Sequence, residues 1–186
     1  PYIITFSVIS LGLVTWLGIA YARAPYVELW PYVEELRWLP LLSMPIACVL
    51  TIAGLSSRNP FSLGAGSKDF NPERPGIVAL ARHPAGGGLV IWSAAHIPIN
   101  GDAASLILFG LLTMLGIAGP RSLDAKRKRA LGEAQWQELY TQVQQVPMTV
   151  ALAQIGWFRP FIGLILYGAL LFGHELVIGI SPLPVF

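Results

Sequence analysis

Charge is scarce in this chain. Only 12% of its 186 residues are Asp, Glu, Lys or Arg, about half the usual share of a soluble domain. So little polar surface cannot keep a globule of this size in water. The 54% hydrophobic content excludes a disordered chain as well. Twelve basic and ten acidic residues leave a net charge of +2, too small for a nucleic-acid-binding surface, so no nucleic-acid partner is expected. A single cysteine, Cys48, excludes an internal disulfide, a CxxC redox pair, a cysteine-based zinc site and a CxxCH haem attachment. No basic segment precedes the first apolar run, so that run does not read as a signal peptide. There is no internal repeat and no low-complexity stretch. What remains is an integral membrane protein, with a mean hydropathy of +0.61.

A bilayer core of ~30 Å takes roughly 20 residues of apolar helix. Five stretches approach that length, at 2–22, 38–55, 84–99, 103–119 and 160–180. The expected fold is an all-α, polytopic transmembrane helical bundle, one domain over 1–186. Pro84 suits a first helical turn, and Pro45 and Pro98 inside apolar runs are tolerated in membrane helices. Asn100-Gly101-Asp102 reads as a turn between antiparallel helices. Two loops on one side carry Arg58, Lys68, Arg74 and Arg82, and Arg121, Lys126, Arg127, Lys128 and Arg129; the opposite loops carry only Arg23 and Arg37. The positive-inside rule makes the first pair cytoplasmic and places the C-terminus in the periplasm of a bacterial inner membrane. Within the cytoplasmic loop 121–157, Leu131, Trp136, Leu139, Tyr140 and Val143 recur at helical spacing over 126–146. They predict an amphipathic helix at the membrane interface, with the basic cluster beside it facing lipid headgroups. The Gly-, Ser-, Asn- and Pro-rich segment 62–76 reads as a flexible loop.

The three histidines all fall in or at the ends of expected spans, where ionisable groups are costly and point to function. His83 stands at the cytoplasmic start of the third span, beside Arg82. His96 lies about 18 Å beyond Pro84, and His174 about 21 Å beyond Pro160, at 1.5 Å per residue. These two share a depth and can face each other across the bundle. Neutral imidazole is a good axial ligand for haem iron, and no thiol or carboxylate cluster competes for another metal. His83, His96 and His174 are therefore candidate ligands of a haem b, in a span where Gly86, Gly87 and Gly88 admit close approach. The alternative is plain helix packing with hydrogen-bonded histidines. Arg82 can clamp a propionate or phosphate, or simply anchor the helix at the headgroups. Glu175 can support His174 or stand as an interfacial carboxylate. Cys48 reads as a small buried residue.

Arg82-His83-Pro84, Trp92-Ser93-Ala94-Ala95-His96 and the run from Asn100 to Leu106 resemble the NnrU family of bacterial membrane proteins. Asp124 with Arg127 to Glu133, and His174 with the ending Gly179 to Pro184, carry the resemblance over nearly the whole chain. That family is similar to the haem-b-containing 15-cis-zeta-carotene isomerases, and its name comes from an association with nitrite and nitric oxide reduction. The resemblance implies haem b, an isomerase or redox role, and a hydrophobic polyene or further membrane subunits as partners. It makes His83 the foremost iron ligand, paired with a histidine on a preceding helix. Hence a sixth span before Pro1 is expected; without it, the ligands fall to His96 and His174. Residues 85–87, Ala-Gly-Gly, depart from the bulkier residues common in the family. Arg82, His83, Glu133 and Tyr140 are also similar to elements of isoprenylcysteine-type membrane methyltransferases, which implies S-adenosylmethionine at the cytoplasmic face. A non-catalytic subunit or assembly factor of a larger complex is the third class.

Overall fold

The computed structural model describes residues 2–184. Among them every regular element is helical. Helix α1 spans Tyr2–Ala22, α2 Trp38–Ser56, α3 Ile77–Leu80, α4 Pro84–Asn100, α5 Ala103–Leu131, α6 Glu133–Gln144, α7 Met148–Ile155 and α8 Phe158–Ile178. A short 3-10 turn, Glu34–Arg37, leads into α2. Among the described residues three helices are long and apolar enough to cross a membrane, at Glu34–Ser56, Ala103–Leu131 and Phe158–Ile178. Helix α4 has 17 residues, and α1 contributes the apolar stretch Ser7–Ala22.

The long helices pack side by side. α4 lies between α5 and α2, and α8 covers the other flank of α2. Small residues set these approaches. A Cβ on Gly88 would stand 2.3 Å from Thr51 Oγ1, one on Gly116 2.5 Å from Val90 Cγ2, and one on Gly163 2.7 Å from Val49 Cα. Backbones this close gain dispersion contacts that lipid cannot replace. Hydroxyl pairs add to them: Ser93 with Thr113 at 2.8 Å joins α4 to α5, and Tyr21 with Ser105 at 2.9 Å ties α1 to α5. Outside these seams the helices present bare apolar side chains, among them Leu11, Trp16, Leu42, Leu111, Met114, Leu164 and Leu176. Such continuous apolar surface suits hydrocarbon, not water.

The turn between α4 and α5 forms as expected. Gly101 takes φ +66° and ends α4, and Asp102 caps α5 by accepting from the Ser105 N–H at 3.0 Å. Residues 27–30 lie against this turn, with the Leu29 N–H donating to the Gly101 carbonyl at 2.8 Å and the Trp30 indole N–H to the Pro98 carbonyl at 2.9 Å. A Cβ on Gly101 would meet the Trp30 carbonyl at 2.5 Å, so glycine is required there twice over.

The other end of the bundle differs from expectation in two respects. Helix α5 does not stop where the apolar run stops. It continues through Pro120 and the basic stretch to Leu131, 29 residues in all, about 43 Å at 1.5 Å per residue. It therefore stands well clear of a ~30 Å hydrocarbon core and carries Asp124, Arg127 and Lys128 beyond the bundle. Gly132, at φ +86°, then turns the chain into α6. The apolar stripe of α6 is present, but it packs on the protein itself. Trp136 and Val143 are buried with Ala53, Phe61, Ile77, Val78 and Ile155, and Leu131, Leu139 and Tyr140 lie against the same cluster. Loop 57–83, α3, α6 and α7 thus make a small folded cap on the end of the bundle away from the α4–α5 turn. The glycine-rich segment is pinned at its start: the Asn59 side-chain carbonyl accepts from the Phe61 and Ser62 N–H groups at 2.9 and 3.1 Å, and its amide donates to the Arg82 carbonyl at 2.9 Å.

Candidate functional site

The polar residues that the sequence singled out fall into two groups. The first lies where the cap meets the bundle. His83 is the residue before Pro84, with φ −122° and ψ 65°, outside the α region that a following proline disfavours. Its Nδ1 lies 2.7 Å from Ser62 Oγ, and its Nε2 lies 3.0 Å from Asp124 Oδ1. Nε2 also lies 3.2 Å from Arg82 Nε, so the tautomer decides the bonding: a proton on Nε2 is donated to Asp124 while Nδ1 accepts from the Ser62 hydroxyl, and a proton on Nδ1 is donated to Ser62 while Nε2 accepts from the Arg82 Nε–H. The second carboxylate oxygen of Asp124 takes the Arg82 Nη2–H at 2.7 Å. Arg82 lies over two aromatic rings, with its Cζ 5.0 Å from the centroid of Tyr140 and 5.5 Å from that of Trp136. Lys128 Nζ lies 4.4 Å from the Trp136 centroid and pairs with Glu133 at 2.7 Å. Arg127 donates to the Ser62 carbonyl at 3.1 Å.

This arrangement holds a neutral imidazole. Burial pushes the His83 pKa below its ordinary value, and the Asp124 carboxylate, acting in the opposite direction, only partly restores it. Both ring nitrogens lie within hydrogen-bond distance of polar side chains, Ser62, Asp124 and Arg82. Chemically the group is a latch. It joins loop 57–83 through Ser62, the start of α4 through Arg82 and His83, the extension of α5 through Asp124, and α6 through Trp136 and Tyr140. Of the four residues matched to methyltransferases, Arg82, His83 and Tyr140 come together here, while Glu133 turns outward to Lys128. Ser62 and Asn59 were not singled out from the sequence. Their only signal was Asn59-Pro60, a turn-forming pair whose side-chain carbonyl can hold the following backbone.

The second group is His96 and His174. His96 Nδ1 donates to the Trp92 carbonyl at 2.7 Å, and its ring stacks on Phe109 at 5.1 Å between centroids. His174 Nδ1 donates to the Ile180 carbonyl at 2.7 Å. That bond depends on Gly179, whose φ of +83° folds the chain back over the end of α8. A proton fixed on Nδ1 leaves the lone pair on Nε2, the tautomer that a metal-binding imidazole takes when a carbonyl orients it. No set of three or more His, Cys, Asp or Glu side chains among the described residues is placed to hold a bare metal ion. Glu175 makes no ion pair among the described residues. Cys48 is buried at 3% exposure, as a small core residue.

A family model described as NnrU protein matches residues 1–182. No curated protein and no solved structure matches the chain.

Proposed function

The chain belongs to the NnrU family, and on that premise we propose a multi-pass protein of the bacterial inner membrane, with five spans between residues 2 and 180, that holds one haem b through His96 and His174. In this reading α1 and α4 cross the membrane with the three longer helices. The capped end of the bundle, which carries ten of the twelve basic residues, is cytoplasmic and the C-terminus periplasmic. A single observation carries the ligand assignment: His96 and His174 each donate Nδ1–H to a backbone carbonyl and keep Nε2 for a ligand, whereas both nitrogens of His83 face polar side chains, Ser62 on one side and Asp124 and Arg82 on the other. Trp92 and Phe109 beside His96, at 5.8 and 5.1 Å, would wall a flat ring. Haem b, when bound, supplies one-electron redox chemistry, in keeping with the nitrogen-oxide and polyene chemistry of the proteins that this family resembles.

The absorption spectrum of the purified protein tests the reading. The expected result is a Soret band with sharp reduced α and β bands in the wild type. His96→Ala and His174→Ala should each lose most of the haem per protein, and His83→Ala should keep it. Loss of haem in His83→Ala alone would return the iron to the cytoplasmic end. A wild-type protein that takes up no haem when it is supplied would end the proposal.

A further inference from the structure

Apart from both histidine groups, a groove of about 570 Å³ opens between α2 and α8 at their capped ends, lined by Ile52, Leu55, Ser56, Phe158, Arg159 and Ile162. We propose that it binds one anionic phospholipid, with the headgroup phosphate on Arg159 and an acyl chain along Ile52, Leu55 and Ile162.

The polarity of the groove is graded in one direction. Its hydroxyl and its guanidinium, Ser56 and Arg159, sit together at the helix ends, joined by the Arg159 Nε–H donating to Ser56 Oγ at 3.2 Å. Ile52 lies one turn further into the bundle along α2, and Ile162 nearly one turn along α8. Both helices are long and apolar enough to cross a membrane, so this gradient runs from the water boundary into hydrocarbon, as a phospholipid does. Arg159 is also prepared for an anion. Its Nη1 donates to the Ile155 carbonyl at 3.0 Å, which fixes the guanidinium plane and leaves Nη2 to donate. Among the described residues no carboxylate pairs with it, whereas Arg82, Arg37 and Lys128 each have an acidic partner. A planar guanidinium at the mouth of an apolar slot matches a headgroup phosphate, and with no carboxylate beside it the positive charge favours a headgroup of net negative charge over a zwitterionic one. Next to it, Trp157, 76% exposed, contacts Phe158 and Phe161 at 5.8 and 6.0 Å, an aromatic set of the kind that rests at headgroup level.

The test is native mass spectrometry of the full chain in detergent micelles, titrated with phosphatidylglycerol or phosphatidylcholine of identical acyl chains. The expected result is one tightly held phosphatidylglycerol, preferred about tenfold, a difference of roughly 1.4 kcal/mol. Arg159→Gln should abolish the preference and Arg159→Lys should keep most of it, which separates loss of charge from loss of fold. Ile162→Trp should weaken both lipids by filling the slot while leaving the charge in place. Arg129→Gln, at the exposed end of α5, should change nothing. Equal binding of the two lipids by the wild type would overturn the proposal. So would an Arg129→Gln effect as large as that of Arg159→Gln, which would show diffuse charge attraction. Unaltered binding in Ile162→Trp, competition by inorganic phosphate alone, or a protein dimer that Ile162→Trp dissociates would also overturn it.

Discussion

Removing the Asp124 carboxylate should open the cap without dissolving the bundle. Asp124 receives two hydrogen bonds, from Arg82 Nη2 at 2.7 Å and from His83 Nε2 at 3.0 Å. Bonds of this kind to a charged group contribute about 1.5–3 kcal/mol each when well buried. The Arg82 side chain is 29% exposed, so its share drops towards the ~1 kcal/mol of a solvent-screened pair. His83, at 9%, keeps a larger one. Asp124→Ala is therefore expected to cost about 2–3 kcal/mol. Asp124→Asn, which keeps an oxygen for His83 and loses the charge facing Arg82, should cost about 1 kcal/mol. Unfolding in mixed ionic and non-ionic micelles, followed by tryptophan fluorescence and with Trp136 as reporter, measures both. Limited trypsin cleavage at Lys68 and Arg74 gives the local readout, because 2 kcal/mol raises the open population of the loop about thirtyfold. Faster cleavage in Asp124→Ala, with unchanged protection of the membrane helices, is expected. A variant within 0.5 kcal/mol of the wild type, or equal losses for Ala and Asn, would refute the latch.

The His83 pKa is lowered in the folded state, so His83 contributes stability in full above its unfolded value of ~6.5, and that contribution is lost as pH falls below it towards the folded value. Cap unfolding measured from pH 7.5 to 5 should show this loss, and His83→Gln should flatten it; an identical slope in the variant would remove His83 as the cause. Gly163→Ala should destabilise by about 1–3 kcal/mol through overpacking against Val49, while Gly168→Ala, with nothing within 4 Å of its Cβ, should be silent in the same unfolding assay. For orientation, a membrane-impermeant maleimide applied to intact cells should label Cys at Pro184→Cys and spare Ser122→Cys; the reverse pattern would invert the topology.

The sequence disclosed where the helices lie better than where they end. Expected and observed elements agree closely for α2, α4 and α8, because uncharged runs bounded by Pro, Gly or Arg leave little choice. The extension of α5 was misjudged for a definite reason. The change at Arg121 from apolar to basic residues marks the membrane surface, not the end of a helix. Ala, Lys, Arg and Leu from 123 to 131 are strong helix formers, and nothing breaks the helix before Gly132. The stripe of α6 was legible as a stripe, since Trp136, Leu139, Tyr140 and Val143 repeat at helical spacing. Its partner was not. Periodicity reports that a face is apolar, and the same face would suit a headgroup layer or the Phe61, Ile77 and Val78 side chains that cover it. Segment 62–76 looked loose on composition, yet the Asn59 side chain just before it holds the Phe61 and Ser62 N–H groups.

The histidines show the same limit at the level of chemistry. Residue type told that an imidazole can bind iron, and helical rise told its depth, but neither tells whether a lone pair remains. That depends on partners far away in sequence. Asp124, 41 positions beyond His83, and Ser62, 21 before it, meet the ring only because α5 overruns the membrane and Asn59 pins the loop. Helical rise set His96 and His174 at one level, and each donates Nδ1–H to a backbone carbonyl, of Trp92 and of Ile180. The triplet marks the place where four segments are joined. Arginine supplies a two-pronged donor, histidine a neutral donor and acceptor, and proline starts the helix beneath them. Those are the properties that a polar junction at the mouth of an apolar bundle needs, whether or not any cofactor is bound above it.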